Sequence, residues 1–123
     1  MEKKRKKILV AEDEEAMAQA LSYALTDAGF EVDVVHDGQA ALKKLAKKSF
    51  DLLVLDIVMP RSSGFAVLKK LKKQRAGLPI IVLTNLSQEG DVHRAKKLGA
   101  NKVLIKSAVA LEQITKEVKQ LIG

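Results

Sequence analysis

The chain contains no cysteine and no tryptophan, and aromatic residues make up only 3% of its 123 residues. Without cysteine it can form neither a disulfide nor a zinc–thiolate site, and it has no cysteine nucleophile. Its core must therefore consist of leucine, isoleucine, valine and alanine. No run approaches the roughly 20 apolar residues of a membrane span, and no secretory signal precedes the first apolar run. We expect a single cytoplasmic domain over residues 1–123.

Positive charge is concentrated at the N-terminus. The formal net charge is +7, and residues 3–7 alone supply five cations. We expect residues 1–7 to form a flexible basic arm. Such an arm gives salt-sensitive, non-specific attraction to nucleic acid, but no aromatic stacking platform or groove-reading motif accompanies it. The sequence therefore predicts no specific nucleic-acid partner and no membrane partner.

Apolar runs and helical patterns alternate five times along the chain. Apolar residues at helical spacing follow each run and predict five helices. This alternation predicts an α/β fold, a doubly wound parallel sheet of five strands with helices on both faces. The predicted strands are residues 8–12, 31–35, 51–56, 80–84 and 102–106.

Local signals mark the ends of several helices. Gly29 and Gly99 are placed to end the first and the fourth helix, because glycine readily adopts the left-handed backbone that follows a helix. Ser63 and Ser87 are suited to cap the third and the fourth helix. The residues expected to point inward from the last helix are Leu111, Ile114, Val118 and Leu121.

Polar residues stand where four of the predicted strands end. Asp13 follows the first strand, Asp56 ends the third, Thr84 ends the fourth and Lys106 ends the fifth. The carboxyl ends of parallel strands share one edge of the sheet, and binding sites in such sheets lie outside that edge. We therefore expect two acids, a hydroxyl and an ammonium to converge on one site.

These motifs, in this order, resemble the receiver domain of two-component response regulators, including the chemotaxis regulators. The resemblance covers essentially all 123 residues and implies a flavodoxin-like fold with strand order 2-1-3-4-5. It also implies a phosphoacceptor signalling protein rather than an enzyme that turns over an external substrate. The donor would be the phosphohistidine of a sensor histidine kinase or a histidine phosphotransfer protein. The motifs are Glu12–Asp13, Asp56, Met59–Pro60, Gly64, Thr84 and Lys106.

Phosphoryl transfer to a carboxylate requires an exposed oxygen nucleophile, and Asp56 at a strand end supplies one. Mg²⁺ is the expected ion, because it binds a few carboxylates and keeps several waters. Asp13 and Asp56 are expected to be direct ligands, with Glu12 binding directly or through water. The backbone carbonyl of Val58 would complete the set.

Two further side chains are expected to act on the phosphoryl group itself. Lys106 offers a compact cation to the phosphoryl oxygens. Thr84 would donate its hydroxyl and so link phosphorylation to movement of the loop that follows the fourth strand.

Several positions depart from the usual receiver pattern. Val103 replaces a common aromatic switch residue, so we expect output through the loop after the fourth strand and the fourth helix. Asn85 is larger than the small residue often found there. Ser107 replaces a proline with a cis bond, and because a non-proline cis bond costs about 2.5–4 kcal/mol, we expect a trans bond. Val58 and Leu86 have no polar group to orient an attacking water, which predicts a long-lived acyl phosphate.

The resemblance places the downstream protein contact on the fourth helix, fifth strand and fifth helix. We expect a monomer or a weak phosphorylation-dependent dimer. The helix end at residues 121–123 favours a stand-alone receiver, and the alternative is a receiver from a longer DNA-binding regulator. The lysines on the expected contact face are Lys96, Lys97, Lys102, Lys116 and Lys119.

Each site residue also has a simpler interpretation. Asp13 alone fits a helix cap, and Lys106 alone fits a solvated lysine. A non-phosphorylated pseudo-receiver would be expected to lack the acid pair, Asp56 or Lys106. A phosphatase of the aspartate type would have a second acid two residues after Asp56. His36 and His93 lack the acidic or nucleophilic neighbours of a catalytic or metal-binding histidine and are expected at the surface.

Overall fold

The computed structural model describes residues 5–59, 63–85 and 89–123. Strands and helices alternate throughout this part of the chain. In order they are β1 (Lys7–Ala11), α1 (Glu15–Asp27), β2 (Glu31–Val35), α2 (Gly38–Lys47), β3 (Leu52–Leu55), α3 (Gly64–Gln74), β4 (Ile80–Thr84), α4 (Glu89–Lys97), β5 (Lys102–Ile105) and α5 (Leu111–Ile122).

The five strands form one sheet in the order β2-β1-β3-β4-β5, and every neighbouring pair is parallel. The predicted flavodoxin-like fold is therefore confirmed. The strand ends are in register, because Ala11 pairs with Leu55, Leu55 with Val82, and Thr84 with Ile105. This register brings the carboxyl ends of β1, β3, β4 and β5 to one edge of the sheet.

Two hydrophobic clusters lie on opposite faces of the sheet. Leu9 and Leu53 point toward α2, α3 and α4, whereas Ile8 and Leu52 point toward α1 and α5. The residues of β3 and β4 are all buried, as expected of central parallel strands covered on both faces. Strand β2 is half-buried at one sheet edge, which agrees with its partly alternating sequence.

The helix ends follow local backbone chemistry. Gly29 has φ +100° and Gly99 has φ +112°, so both adopt the left-handed conformation expected after a helix. Ser63 caps α3, and its Oγ accepts a hydrogen bond of 3.3 Å from the backbone N–H of Ala66. The predicted cap of α4, Ser87, lies outside the described residues, as do Pro60 and residues 1–4 of the expected arm.

The structure differs from two expectations, one near each end of the chain. Strand β1 begins at Lys7, so the last residue of the expected arm belongs to the sheet. The predicted burial of Leu111 is wrong, because its side chain is 36% exposed, whereas Ile114 and Val118 are buried. Leu111 is the first residue of α5, and side chains there tilt beyond the helix N-terminus rather than over the sheet.

The described residues contain no cis peptide bond, so the Lys106–Ser107 bond is trans as predicted. None of the helices in the described ranges has the length and apolar character required to cross a membrane.

Candidate functional site

Three site residues stand one position beyond a strand and extend its ladder of backbone hydrogen bonds. The N–H of Glu12 donates to β2 (3.0 Å), that of Asp56 donates to β1 (3.0 Å), and that of Lys106 donates to β4 (2.9 Å). These bonds fix the backbone at the sheet edge. The side chains therefore start from anchored positions on neighbouring strands.

The Lys106 ammonium is surrounded by carboxylates. Its Nζ lies 2.6 Å from Glu12 Oε1 and 2.9 Å from Asp56 Oδ2. A third carboxylate oxygen, Glu14 Oε1, lies 3.3 Å from the same nitrogen but belongs to a largely exposed side chain. The predicted convergence of Lys106 on Asp56 is thus present in the structure. The Glu14 contact was not anticipated from the sequence.

Glu12 is buried, and its two oxygens have different surroundings. Oε2 accepts a hydrogen bond of 3.0 Å from the backbone N–H of Glu14. Oε1 pairs with the Lys106 ammonium at 2.6 Å. Burial raises the pKa of Glu12 to about 7, because Lys106 and the Glu14 N–H only partly offset the lost hydration, and the charge of Asp56 adds to the increase.

The Lys106 side chain is largely buried, and burial opposes its charge. The hydrogen bonds and charges of Glu12 and Asp56 outweigh that effect and raise the pKa of Lys106 above its ordinary value. Lys106 therefore remains an ammonium at neutral pH. The pocket combines one fixed cation with several carboxylates.

Asp13 completes an acidic cluster beside this ion pair. One oxygen each of Glu12, Asp13 and Asp56 can be chosen so that all three lie within 4.8 Å of one another. Asp13 is exposed, whereas Glu12 and Asp56 are buried. The expected exposure of the Asp56 carboxylate is therefore wrong, because its Oδ2 packs against the buried Lys106 ammonium. The interpretation of Asp13 as a helix cap is wrong, because the N-cap position of α1 is Glu14 and has no side-chain cap hydrogen bond.

The acidic cluster suits a hard divalent cation. Oxygen ligands at this spacing are what Mg²⁺ prefers. Each carboxylate oxygen can accept more than one contact, so Glu12 Oε1 and Asp56 Oδ2, which pair with Lys106, can also bind a metal ion. The residues present therefore fit the predicted ion.

The loop after β3 is held in place by a close backbone approach. The N–H of Val58 donates to Asp56 Oδ1 (3.1 Å), and the N–H of Gly64 donates to the Ile57 carbonyl (2.8 Å). A Cβ at Gly64 would lie 2.5 Å from Ile57 Cα and 2.7 Å from the Asp56 carbonyl oxygen. Only glycine permits this approach, which orients the loop that carries the carboxylate.

The other strand ends contribute Thr84 and the residue after it. Thr84 is buried at the end of β4. Asn85 Oδ1 accepts a hydrogen bond of 3.2 Å from the backbone N–H of Ser107, so it joins the loops after β4 and β5. Sequence reasoning treated Asn85 only as a bulkier residue and missed this bridge. Leu86 lies outside the described residues.

Both histidines are exposed, as predicted. His36 Nδ1 lies 3.0 Å from the backbone oxygen of Glu12. This contact supports the backbone of the site at the end of β2. The charged groups described in the pocket are therefore the carboxylates and the Lys106 ammonium.

Comparison with known proteins agrees with this geometry. Residues 8–119 match the family model of the response regulator receiver domain. The alkaline phosphatase synthesis transcriptional regulatory protein PhoP of Bacillus subtilis is 40% identical over 101 residues, covering 82% of this chain and 42% of that protein. Response regulator RR06 of Streptococcus pneumoniae is 38% identical over 115 residues, covering 94% of this chain and 52% of that protein.

Solved structures are similar over nearly the whole chain. The receiver domain of the Francisella response regulator 1452 has a TM-score of 0.90 and 29% identity, covering 95% of this chain and 96% of that one. The chemotaxis response regulator CheY4 of Vibrio cholerae has a TM-score of 0.88 and 30% identity, covering 97% and 100%. By contrast, the chain spans about half the length of the curated relatives it matches.

Proposed function

Because this chain belongs to the receiver-domain family of response regulators, we propose that Asp56 accepts a phosphoryl group with Mg²⁺ bound beside it. The donor would be the phosphohistidine of a sensor histidine kinase or of a histidine phosphotransfer protein. The observation that carries this proposal is the position of the Asp56 carboxylate, between the Lys106 ammonium and the acidic cluster.

In the proposed step, a carboxylate oxygen of Asp56 forms a bond to phosphorus while the phosphorus–nitrogen bond of the donor breaks. The electron pair of the broken bond returns to the imidazole nitrogen. Catalysis of such transfers rests on positioning and on charge stabilisation. Asp56 is positioned by its own ladder bond and by the N–H of Val58. Lys106 supplies positive charge 2.9 Å from Oδ2 and would pair with a phosphoryl oxygen after transfer.

Glu12, Asp13, Asp56 and the backbone carbonyl of Val58 would hold the magnesium ion. When bound, the ion neutralises charge on the phosphoryl oxygens. The close spacing of the three carboxylates supports this ligand set. Lys106 would keep the same carboxylates from repelling one another before the ion binds.

Thr84 would donate its hydroxyl to the phosphoryl group and so couple phosphorylation to the loop that precedes α4. Val103 is half-buried against the core and has no ring to rotate, so the output would pass through this loop and α4. The signal would be a phosphorylation-dependent contact with a downstream protein on the face formed by α4, β5 and α5. Asn85, which joins the two loops beside the site, supports a shared movement of both.

The remaining features of the proposal concern the whole protein. We propose a cytoplasmic phosphoacceptor with a basic arm before β1 and one receiver domain, acting as a monomer or a weak phosphorylation-dependent dimer. An alternative is that this receiver serves a longer transcriptional regulator. The relatives named as transcriptional regulators are about twice as long as this chain, which favours that alternative.

The proposal is tested by incubating the chain with Mg²⁺ and acetyl phosphate and measuring its intact mass. We expect one phosphoryl adduct that requires the metal and is absent in Asp56→Asn. Asp51→Asn, at the opposite end of β3, is a matched control and should retain the adduct. No adduct on the unaltered chain, or an equal adduct on Asp56→Asn, would contradict the proposal.

A further inference from the structure

The two helical layers of the protein carry different charge. Helix α2 contains three cations, α3 contains four and α4 contains three. The same three helices contain two acidic residues, Glu89 and Asp91. On the other face of the sheet, α1 and α5 together contain two lysines and four acidic residues. We call the cationic surface the basic face; its members are Lys43, Lys44, Lys47, Lys69, Lys70, Lys72, Lys73, Arg94, Lys96 and Lys97.

The basic face is continuous and largely unneutralised. Lys72 Nζ donates to the Lys97 carbonyl (3.1 Å) and joins α3 to α4, while Arg75 Nη2 donates to the Leu45 carbonyl (3.1 Å) and joins α3 to α2. Within the described residues, Lys44 is the one member with a carboxylate inside 4.0 Å, that of Asp33 at 3.7 Å. The other members are exposed. Their charges are therefore directed into solvent.

A groove of about 460 Å³ runs between α3 and α4. Among the described residues its lining has no acidic residue and four cations, Lys69, Lys72, Arg94 and Lys97. The Arg94 guanidinium lies over the Phe65 ring, 4.1 Å from its centroid. This cation–π contact holds the guanidinium at the groove. It also covers the one aromatic ring of the groove, so no platform is open for stacking a nucleotide base.

On α2 and α3, outside the α4–β5–α5 surface proposed for the downstream protein, the composition of the basic face argues against a protein or lipid partner. Lysine is depleted in protein–protein interfaces, whose energy comes mainly from aromatic and arginine anchors. Helices that bind a membrane surface expose apolar side chains that insert between lipids. The large apolar side chains exposed among the described residues are Tyr23, Val58 and Leu111, and none belongs to α2, α3 or α4.

We propose that the basic face binds the phosphate backbone of double-stranded DNA without reading its sequence. Helices of about ten residues are roughly 15 Å long and pack about 10 Å apart, so three of them present cations over a surface roughly 15 by 20 Å. Duplex DNA carries one negative charge per about 1.7 Å of its axis, so several phosphates fall within reach. Single-stranded binding would need open aromatic rings.

The test is a titration of a fluorescently labelled DNA duplex of arbitrary sequence with the full chain, followed by anisotropy at several salt concentrations. The first variant carries Lys69→Gln, Lys70→Gln and Lys73→Gln on α3. The matched control carries Lys102→Gln, Lys116→Gln and Lys119→Gln on the opposite side. Both lose three charges, and glutamine has nearly the helix propensity of lysine. A second face variant, Lys43→Gln with Lys47→Gln on α2, repeats the measurement on another helix.

We expect the slope of log affinity against log salt to fall by about 0.9 for each phosphate contact removed in both face variants and to stay unchanged in the control. Far-ultraviolet circular dichroism establishes that each variant is folded. Equal losses in the control and face variants would overturn the proposal, as would no binding by the unaltered chain at low salt. Binding that disappears on deletion of residues 2–7 alone would assign it to the arm. Equal affinity for polyglutamate or for anionic lipid vesicles would overturn the choice of DNA.

Discussion

Lys106 Nζ lies 2.6 Å from Glu12 Oε1, and both side chains are more than nine-tenths buried. Glu12 follows β1 and Lys106 follows β5, and the ends of β3 and β4 lie between them in the sheet. The ion pair therefore spans the whole site, and Asp56 at the end of β3 contacts the same ammonium. Glu12 and Asp56, two members of the acidic cluster, therefore share one cation.

Lys106→Met should lower the free energy of unfolding of the metal-free protein by about 3 kcal/mol, because removing one partner leaves buried carboxylates unpaired. Chemical denaturation without Mg²⁺ measures this loss.

A double-mutant cycle with Glu12→Gln isolates the pair. In the Glu12→Gln background the cost of Lys106→Met should fall by at least about 1 kcal/mol, because residues in direct contact are energetically coupled. An identical cost in both backgrounds would mean that the contact between Lys106 and Glu12 contributes nothing to stability.

Asp13→Asn should weaken Mg²⁺ binding by about tenfold or more, equivalent to about 1.4 kcal/mol, because a neutral amide replaces one of three carboxylates. A ligand that binds only the folded state raises the melting temperature, so thermal denaturation at increasing Mg²⁺ concentration reports the affinity. Asp51→Asn, which removes an exposed carboxylate at the opposite end of β3, is the control. If both variants respond to Mg²⁺ like the unaltered chain, the metal ligand assignment fails.

Gly64→Ala should lower the free energy of unfolding by about 2 kcal/mol or more, as overpacked sites do, since its Cβ would lie 2.5 Å from Ile57 Cα. It should also slow phosphoryl uptake from acetyl phosphate, because the loop that carries Asp56 must shift. Gly77→Ala is the matched control, because a Cβ there meets nothing within 4 Å, and it should be neutral or stabilise by up to about 1 kcal/mol. Equal stabilities would show that the close approach at Gly64 is not required.

Val58→Asn combined with Leu86→Glu should accelerate loss of the phosphoryl group by about tenfold, less than a positioned general base can contribute. Val58 is 58% exposed beside Asp56 and has no group to orient an attacking water. The decay is followed by intact mass after the phosphodonor is removed. Val58→Ala with Leu86→Ala also lacks a polar group and should leave the lifetime nearly unchanged. If the phosphoryl group decays at an unchanged rate in the Val58→Asn, Leu86→Glu variant, the lack of polar groups at these two positions does not explain a long-lived acyl phosphate.

Periodicity and turn residues were sufficient to predict the alternation of five parallel strands with helices, whereas the strand order was implied by the resemblance to receiver domains. The predicted and observed bounds of β2 and β4 agree to the residue. Gly29 ends the helix before β2, and Pro79 directly precedes β4. Parallel pairing then brought the ends of β1, β3, β4 and β5 to one edge, so the convergence of Asp13, Asp56 and Lys106 followed from topology alone.

Contacts that depend on the paths of the loops beyond the strand ends were not predictable. The third carboxylate at Lys106 comes from Glu14, 92 residues earlier, and the Asn85 bridge to Ser107 depends on how two loops approach each other. Leu111 has the helical spacing of a buried residue but lies in the first turn of α5, where little of the sheet remains to cover it. Periodicity reports which face of a helix points inward, but not how far along its length the core extends.

The central claim is that Asp56 is the phosphorylated residue, and locating the phosphoryl group tests it most directly. After incubation with Mg²⁺ and acetyl phosphate, borohydride reduction converts an aspartyl phosphate to homoserine, which peptide mass spectrometry places in the sequence. We predict modification at position 56 and at no other acidic residue. Modification at Asp13 or Asp51, or an unmodified peptide carrying position 56 from phosphorylated protein, would contradict the account.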